Sequence, residues 1–297
     1  MNLHSKTSPT PTPTPIFRLL RPKDWIKNLF LFAPLFFTPT LFHYPEVIRI
    51  LIGAIIFSIT ASSIYILNDL KDRAADLLHP QKRFRPIASN QISVTLARWL
   101  CILLSMIGLI AAALLSQTFF TVVLIYYIIN IAYCAGLKRI AIIDVYCVAA
   151  GFILRVIAGS ELIHVTPSIW ILMCTGLLAL FLALAKRRDD IVHHMTYVHR
   201  ESIRGYNLVF IDASIAITLS ALLIAYTIYS TLDIAEVHLG TTHFYWTVPL
   251  VLFGMLRYLQ ITLVEEKSDS PTRLLFTDKF LLGTVIMWFV LSAILIY

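Results

Sequence analysis

The sequence predicts an all-α protein, a polytopic membrane helical bundle of about nine transmembrane helices with cytoplasmic cap loops. Composition is the first reason. Apolar residues make up 58% of the 297 and charged residues 14%, and mean hydropathy is +0.79. That is far more apolar surface than a soluble domain buries. The second reason is segment length. Apolar stretches near the ~20 residues that cross a bilayer fall at about 24–42, 46–67, 92–115, 117–136, 140–160, 167–186, 208–230, 243–263 and 279–297. They are too long and too uniformly apolar for barrel strands, which alternate. The third is a one-sided distribution of Lys and Arg.

Ahead of the first span, Thr7 to Pro15 alternates Pro with Thr. The spacing predicts a disordered tail over 1–17 and a single membrane domain over 18–297. An apolar leader with a small-residue cleavage site is missing from this tail, so no signal peptide is expected. Cations then collect before span 1 and after spans 2, 4, 6 and 8, whereas the connections after spans 3, 5 and 7 hold none. Arg49, near the start of span 2, is the exception. This asymmetry puts the N-terminus and the basic loops in the cytoplasm and the C-terminus outside. It also accounts for the net charge of +7 without a nucleic-acid partner, and none is expected. The four cysteines, Cys101, Cys134, Cys147 and Cys174, lie in apolar segments without metal-ligand spacing and are expected to be small core residues.

The chemistry concentrates after span 2, in Asn68-Asp69-Leu70-Lys71-Asp72-Arg73-Ala74-Ala75-Asp76. On a helix Asn68, Asp72 and Asp76 stand at i, i+4 and i+8, with Asp69 one turn from Asp72. One face then carries several mutually repelling anions. A hard divalent cation such as Mg²⁺, taken with a phosphate or diphosphate, relieves that repulsion; a solvated helix end balanced by Lys71 and Arg73 is the plain alternative. The other loops on this side mix acids and bases: Lys82, Arg83 and Arg85 after His79; Lys138 and Arg139 before Asp144; Lys186-Arg187-Arg188-Asp189-Asp190; and Glu265, Glu266, Lys267, Arg273 and Asp278. Carboxylates suit the metal, and guanidinium and ammonium groups suit phosphate oxygens. Arg155 and Arg257 lie inside spans, where a charge is costly and usually faces a polar cavity. Asp144 and Arg155, 11 residues apart, are about three turns apart on one helix face and are expected to line one cavity open to the cytoplasm. His79 is expected to be a solvated loop residue rather than a base.

Asn68-Asp69-x-x-Asp72-x-x-x-Asp76 after the second of nine spans resembles the first aspartate-rich motif of the UbiA superfamily of intramembrane prenyltransferases. The likeness covers essentially the whole chain after the tail. It implies that Asp69, Asp72 and Asp76, helped by Asn68, bind a diphosphate through Mg²⁺, within helices that surround a cavity open sideways to lipid. Further stretches are similar to the decaprenyl-phosphate phosphoribosyltransferase-like branch. These are Arg21-Pro22-Lys23-Asp24-Trp25-Ile26-Lys27-Asn28, Lys82-Arg83-x-Arg85-Pro86-Ile87-Ala88, Tyr133-x-x-Gly136-Leu137-Lys138 with Asp144-Val145, Gly151-Phe152-x-Leu154-Arg155-x-x-Ala158-Gly159 and Lys186-Arg187-Arg188.

That branch implies transfer of a 5-phosphoribosyl group from phosphoribosyl diphosphate to a polyprenyl phosphate, with loss of diphosphate, on a route to envelope arabinose glycans. Lys82, Arg83, Arg85, Lys138 and Arg139 are then expected on the donor's phosphates, Lys23 and Lys27 at headgroup depth, and Asp144 on ribose hydroxyls or a second ion. Arg155, Lys186 and Arg187 complete the expected substrate contacts. An aromatic prenyltransferase, such as a 4-hydroxybenzoate polyprenyltransferase of quinone synthesis, is the competing reading. Such an enzyme typically carries a second acidic motif after span 6, where this chain opens with three cations, Lys186 to Arg188. A transporter is the third reading; it would favour repeated halves, and nine spans do not divide equally.

Overall fold

Residues 14–38, 44–192, 201–231, 239–265 and 271–297 are described by the structure, a computed structural model. Most of the expected tail lies outside these residues, and a short helix, Pro15–Leu20, precedes the bundle. Eight described helices are long and apolar enough to cross a membrane. They are α1 Tyr44–Lys71, α2 Val94–Leu115, α3 Gln117–Ala135, α4 Ile143–Leu162, α5 Ile169–Val192, α6 Leu208–Thr231, α7 Phe244–Val264 and α8 Lys279–Ile296. Caps fix several starts: Ser93 accepts from the Leu96 amide at 3.2 Å, and Asp278 accepts from that of Leu281 at 2.8 Å.

The expected first span, 24–42, is built differently. It is a 3₁₀ helix over Pro22–Phe32, termed here the lead helix, running into a short α turn, Ala33–Phe36; 39–42 lie outside the described residues. The nine expected helices are therefore eight long ones and this stretched segment. A 3₁₀ helix rises ~2.0 Å per residue, so 11 residues cover about 22 Å, and the α turn adds about 6 Å. Together they approach the ~30 Å hydrocarbon core.

A matched spacing explains the unusual winding. Trp25 Nε1 donates to Ser62 Oγ at 3.0 Å, and Asn28 Nδ2 donates to Ser58 Oγ at 2.7 Å. Three residues of 3₁₀ helix and four of α-helix both rise about 6 Å. The two pairs therefore stay in register only while the lead segment keeps its tighter wind. Residues three apart eclipse in a 3₁₀ helix, which gives the lead helix distinct edges. One carries Trp25, Asn28 and the buried Leu31 against α1 and α4. A second carries Lys23, Ile26 and Leu29, all exposed, and a third carries Asp24, Lys27 and Phe30. Gly159 on α4 lets the lead helix close in, since a Cβ there would stand 2.0 Å from the Leu31 carbonyl oxygen.

Two apolar cores flank α4. Leu31, Phe57, Phe119, Val123, Tyr126 and Leu162 form one; Val145, Phe181, Ile211, Ile215 and Tyr258 form the other. Helix α1 is the central element: 61% of its most apolar window is buried, against 11% for α8. It crosses α2 closely because Gly108 faces Thr60. Outward side chains such as Ile55, Trp99, Leu114 and Ile217 are exposed, as suits a surface solvated by lipid.

Candidate active site

Helix α1 ends at Lys71, and a short helix, Arg73–Leu78, continues beyond a kink at Asp72 (φ −90°, ψ 3°). The carboxylates divide there. Asp69 and Asp76, seven residues or about two turns apart, point the same way. Arg85 Nη1 lies 3.0 Å from Asp69 Oδ1 and 2.8 Å from Asp76 Oδ2, and Arg21 Nη2 lies 2.5 Å from the same Asp69 oxygen. Asp72 instead pairs with Lys138, whose Nζ donates to Asn68 Oδ1 at 3.0 Å. The expected single face of Asn68, Asp72 and Asp76 is thus replaced by two pairs, Asp69 with Asp76 and Asn68 with Asp72. The kink and the three cations between them cause the split. Burial pushes the Asp76 carboxyl above the usual carboxylate range, and the neighbouring Arg85 offsets only part of this.

The loop carrying Arg85 is anchored locally. Arg18 donates to the Phe84 carbonyl at 2.9 Å and Arg73 to Asn90 Oδ1 at 2.8 Å. His79 is buried rather than solvated, and its Nδ1 accepts from the amides of Gln81 and Lys82 at 3.1 and 3.2 Å. These bonds shape the turn. Arg21 adopts a left-handed backbone (φ 53°) between the N-terminal helix and the lead helix. Such strain in a non-glycine residue is held in place by its surroundings, here the Asp69 contact.

The other predicted residues fall into three groups. Lys82 lies within electrostatic reach of Asp76; Arg83 is exposed and stacks on Phe84, and Arg139 is exposed beside Lys138. At the lead helix, Lys23 is exposed, while Lys27 Nζ pairs with Asp24 Oδ1 at 2.6 Å, and the charge of Lys186 also reaches Asp24. The third group is withdrawn from substrate. Asp144 is 0% exposed and Arg187 2%. Arg187 Nε donates to Asp144 Oδ2 at 2.7 Å, Ser202 Oγ donates to the same oxygen at 3.1 Å, and Tyr206 donates to Oδ1 at 2.7 Å. Asp144 is thus spent on holding α5 and the Ser202–Tyr206 segment to α4, rather than on ribose or a second ion, and Arg187 is its partner. Burial and the Asp144 bond push the Tyr206 hydroxyl up, keeping it a donor.

Arg155 does not share a cavity with Asp144. It is 4% exposed and donates to Asn28 Oδ1 at 2.8 Å, to the Gly151 carbonyl at 2.7 Å and to the Tyr126 hydroxyl at 3.1 Å, beneath the rings of Phe57, Tyr126 and Phe152. Three turns of α4 separate two independent polar centres. Arg257 pairs with Glu265 and Asp278, each at 2.7 Å, and ties α7 to the start of α8. Glu266 and Lys267 lie outside the described residues.

The UbiA prenyltransferase family matches residues 29–295. The chain belongs to this family. Among its relatives, decaprenyl-phosphate phosphoribosyltransferase of Corynebacterium glutamicum is 30% identical over 281 residues, covering 92% of this chain and 84% of that protein. The Mycolicibacterium smegmatis protein of the same name is 31% identical over 221 residues, covering 72% and 70%. A solved UbiA homologue from Archaeoglobus fulgidus, bound to GPP and Mg²⁺, superposes with a TM-score of 0.72 at 19% identity, over 94% of this chain and 98% of that one. The chain is accordingly a multi-pass membrane transferase with the UbiA fold.

Within that fold, the donors at the end of α1 are three carboxylates and an amide, all oxygen, which suits a hard cation such as Mg²⁺. No three acidic, His or Cys side chains converge into a metal cluster among the described residues; Arg21, Arg85 and Lys138 pair with the carboxylates instead. Asp24, Asn28, Tyr65, Tyr126, Ser202 and Tyr206 were not expected in polar centres. Asn28 was findable, since an amide within an apolar span raises the same cost argument as Arg155. The two tyrosines of the spans carry no comparable signal, because a tyrosine at helical spacing usually packs in a core.

Proposed function

We propose that this protein transfers a 5-phosphoribosyl group from phosphoribosyl diphosphate to a polyprenyl phosphate and releases diphosphate, with Mg²⁺ at the end of α1. The observation that carries the reading is the exchangeable ionic set there: three carboxylates, Asp69, Asp72 and Asp76, neutralised by Arg21, Arg85 and Lys138 from three separate segments. A donor bringing its own phosphates can take over Arg21 and Arg85 while Asp69, Asp72 and Asp76, with Asn68, hold the metal. Mg²⁺ would neutralise charge developing on the leaving diphosphate.

The residues divide the remaining work. Arg85 and Arg21 face Asp69 and are placed to grip diphosphate oxygens; Lys138 holds Asn68 and Asp72 in position. Lys82, Arg83 and Arg139 at the rim suit the 5-phosphate. An acceptor phosphate oxygen attacks ribose C1, the C1–O bond to diphosphate breaks, and the diphosphate leaves with the electron pair. The acceptor is already an anion, so no strong base is required. The Lys and Arg asymmetry supports a cytoplasmic location for this end of the bundle.

Detergent-solubilised protein given labelled phosphoribosyl diphosphate and polyprenyl phosphate should form labelled lipid only with Mg²⁺. Failure there, with product instead from a prenyl diphosphate and an aromatic acid, would transfer the site to aromatic prenylation.

A further inference from the structure

Tyr65 lies one turn before Asp69 on the same face of α1. Its ring carries two cations, with Arg21 Cζ 5.4 Å and Lys27 Nζ 5.8 Å from the centroid. Lys27 is held 2.6 Å from Asp24, and the charges of Arg21 and Lys186 also reach that carboxylate. Arg21 precedes the lead helix and Lys27 lies midway along it, whereas Lys186 comes from the far end of α5. Arg21 and Lys27 therefore lie over one aromatic ring, and the charge of Lys186, from a distant segment, converges with theirs on one carboxylate. The group is open: the Lys27 and Asp24 side chains are 42% and 32% exposed. Lys27 and Arg21 share Asp24 here, and Arg21 is shared in turn with Asp69.

We propose that the phosphate monoester head of the acceptor lipid sits over Tyr65 between Arg21, Lys27 and Lys186, whose cations Asp24 holds in place until the lipid arrives. This rests on the transfer reading above and adds where the second anion goes. A phosphate monoester offers the oxygen acceptors that ammonium and guanidinium donors take. Arg21 is the shared wall, touching Asp69 on the donor side and Tyr65 on the acceptor side. That contact puts the two phosphates side by side, as attack on ribose C1 requires. The exposed Ile26 and Leu29 on the neighbouring edge of the lead helix offer the prenyl chain an apolar track starting at the same depth. Tyr65 is a positioning residue in this arrangement; Lys27 and Lys186 touch the lipid phosphate.

The test measures binding of labelled polyprenyl phosphate to wild type, K27M, K186M, Y65L and Y65F without donor, and separately the dissociation constant of phosphoribosyl diphosphate with Mg²⁺. Lys27→Met and Lys186→Met should each weaken lipid binding about tenfold, the scale of one hydrogen bond to a charged group, and leave donor binding unchanged. Tyr65→Leu should weaken lipid binding and Tyr65→Phe should restore it, because the ring alone seats the cations. The uncharged polyprenol should not compete, and inorganic phosphate should compete weakly. Unchanged lipid binding in both lysine variants overturns the proposal. So does a matching loss of donor affinity, which would assign these cations to the donor's 5-phosphate. Lipid binding is read without turnover, so a wild-type protein that binds the lipid but fails to transfer phosphoribose would sink the transfer reading and leave this site standing.

Discussion

Two carboxylate–cation centres lie at the same end of the bundle, and they have opposite characters. At the end of α1, Asp69 and Asp76 are themselves buried, but their partners Arg21 and Arg85 are 23% and 24% exposed, and Asp72 is 30% exposed. Between α4 and α5, Asp144 and Arg187 are sealed on both sides and completed by Ser202 and Tyr206. A sequence records both as acid beside base. What separates them is whether the cation can leave. Arg85 sits on a surface loop and can turn to a phosphate, whereas Arg187 would have to abandon a buried carboxylate, which is far too costly to serve as a binding step.

The largest expected effect strikes the sealed centre. Arg187→Met leaves Asp144 charged and unpaired, and should cost about 3–5 kcal/mol of stability, read as a lower denaturation midpoint in detergent. The protein that remains folded should keep its donor and acceptor KM. A donor KM raised tenfold at unchanged stability would show that Arg187 does reach substrate and would erase the contrast. The open centre should behave in reverse. Asp72→Asn should lose about 100- to 1,000-fold in turnover and lose Mg²⁺-dependent donor binding, with a denaturation midpoint close to wild type. Survival of both turnover and Mg²⁺-dependent binding would remove the aspartate cluster from the chemistry.

A third substitution sharpens how the open centre is assembled. Gly159→Ala would drive a methyl into the Leu31 carbonyl, and a backbone atom cannot give way as a flexible side chain can. Overpacking of this kind costs about 1–3 kcal/mol. The lead helix should shift, and the acceptor KM should rise more than the donor KM, because Asp24 and Lys27 ride on that helix while Asp69 and Asp76 do not.

How far the sequence reached follows the same physics. The eight long helices and the cation asymmetry were legible because bilayer thickness imposes a length, and an intramembrane charge has a price. The aspartate cluster was legible because hard-metal chemistry demands oxygen donors at helical spacing. Asp144 was misassigned because helical periodicity gives the direction of a side chain but not its partner; Arg187 arrives from 43 residues away. The first span was read as an α-helix because hydropathy is blind to winding. Its 3₁₀ form is dictated by a tertiary match, Trp25 and Asn28 against Ser62 and Ser58, visible only once α1 lies alongside. The kink at Asp72 was likewise hidden, since nothing in Lys71-Asp72-Arg73 forbids a continuous helix.

The smallest expected effect is a pH dependence that separates Asp76 from its neighbours. Burial holds the Asp76 carboxyl above the usual range despite Arg85, so it takes up a proton at a higher pH than an ordinary aspartate, ~3.9. Once neutral it loses both its hold on Arg85 and its value as a metal ligand. The apparent Mg²⁺ affinity of the wild type should therefore fall as the pH is lowered through and below that point, by at most about tenfold per pH unit for one competing proton. Asp76→Asn should bind Mg²⁺ more weakly throughout and lose this part of the slope. Unfolding cannot mimic the effect through Asp76. A carboxyl whose native pKa lies above its unfolded value binds its proton more tightly when folded, so acidification through that range favours the native state. Falling Mg²⁺ affinity with an undiminished denaturation midpoint would be the signature of Asp76 at the metal. An unchanged slope in Asp76→Asn would assign the proton to another carboxylate and leave Asp76 as an anchor for Arg85 alone.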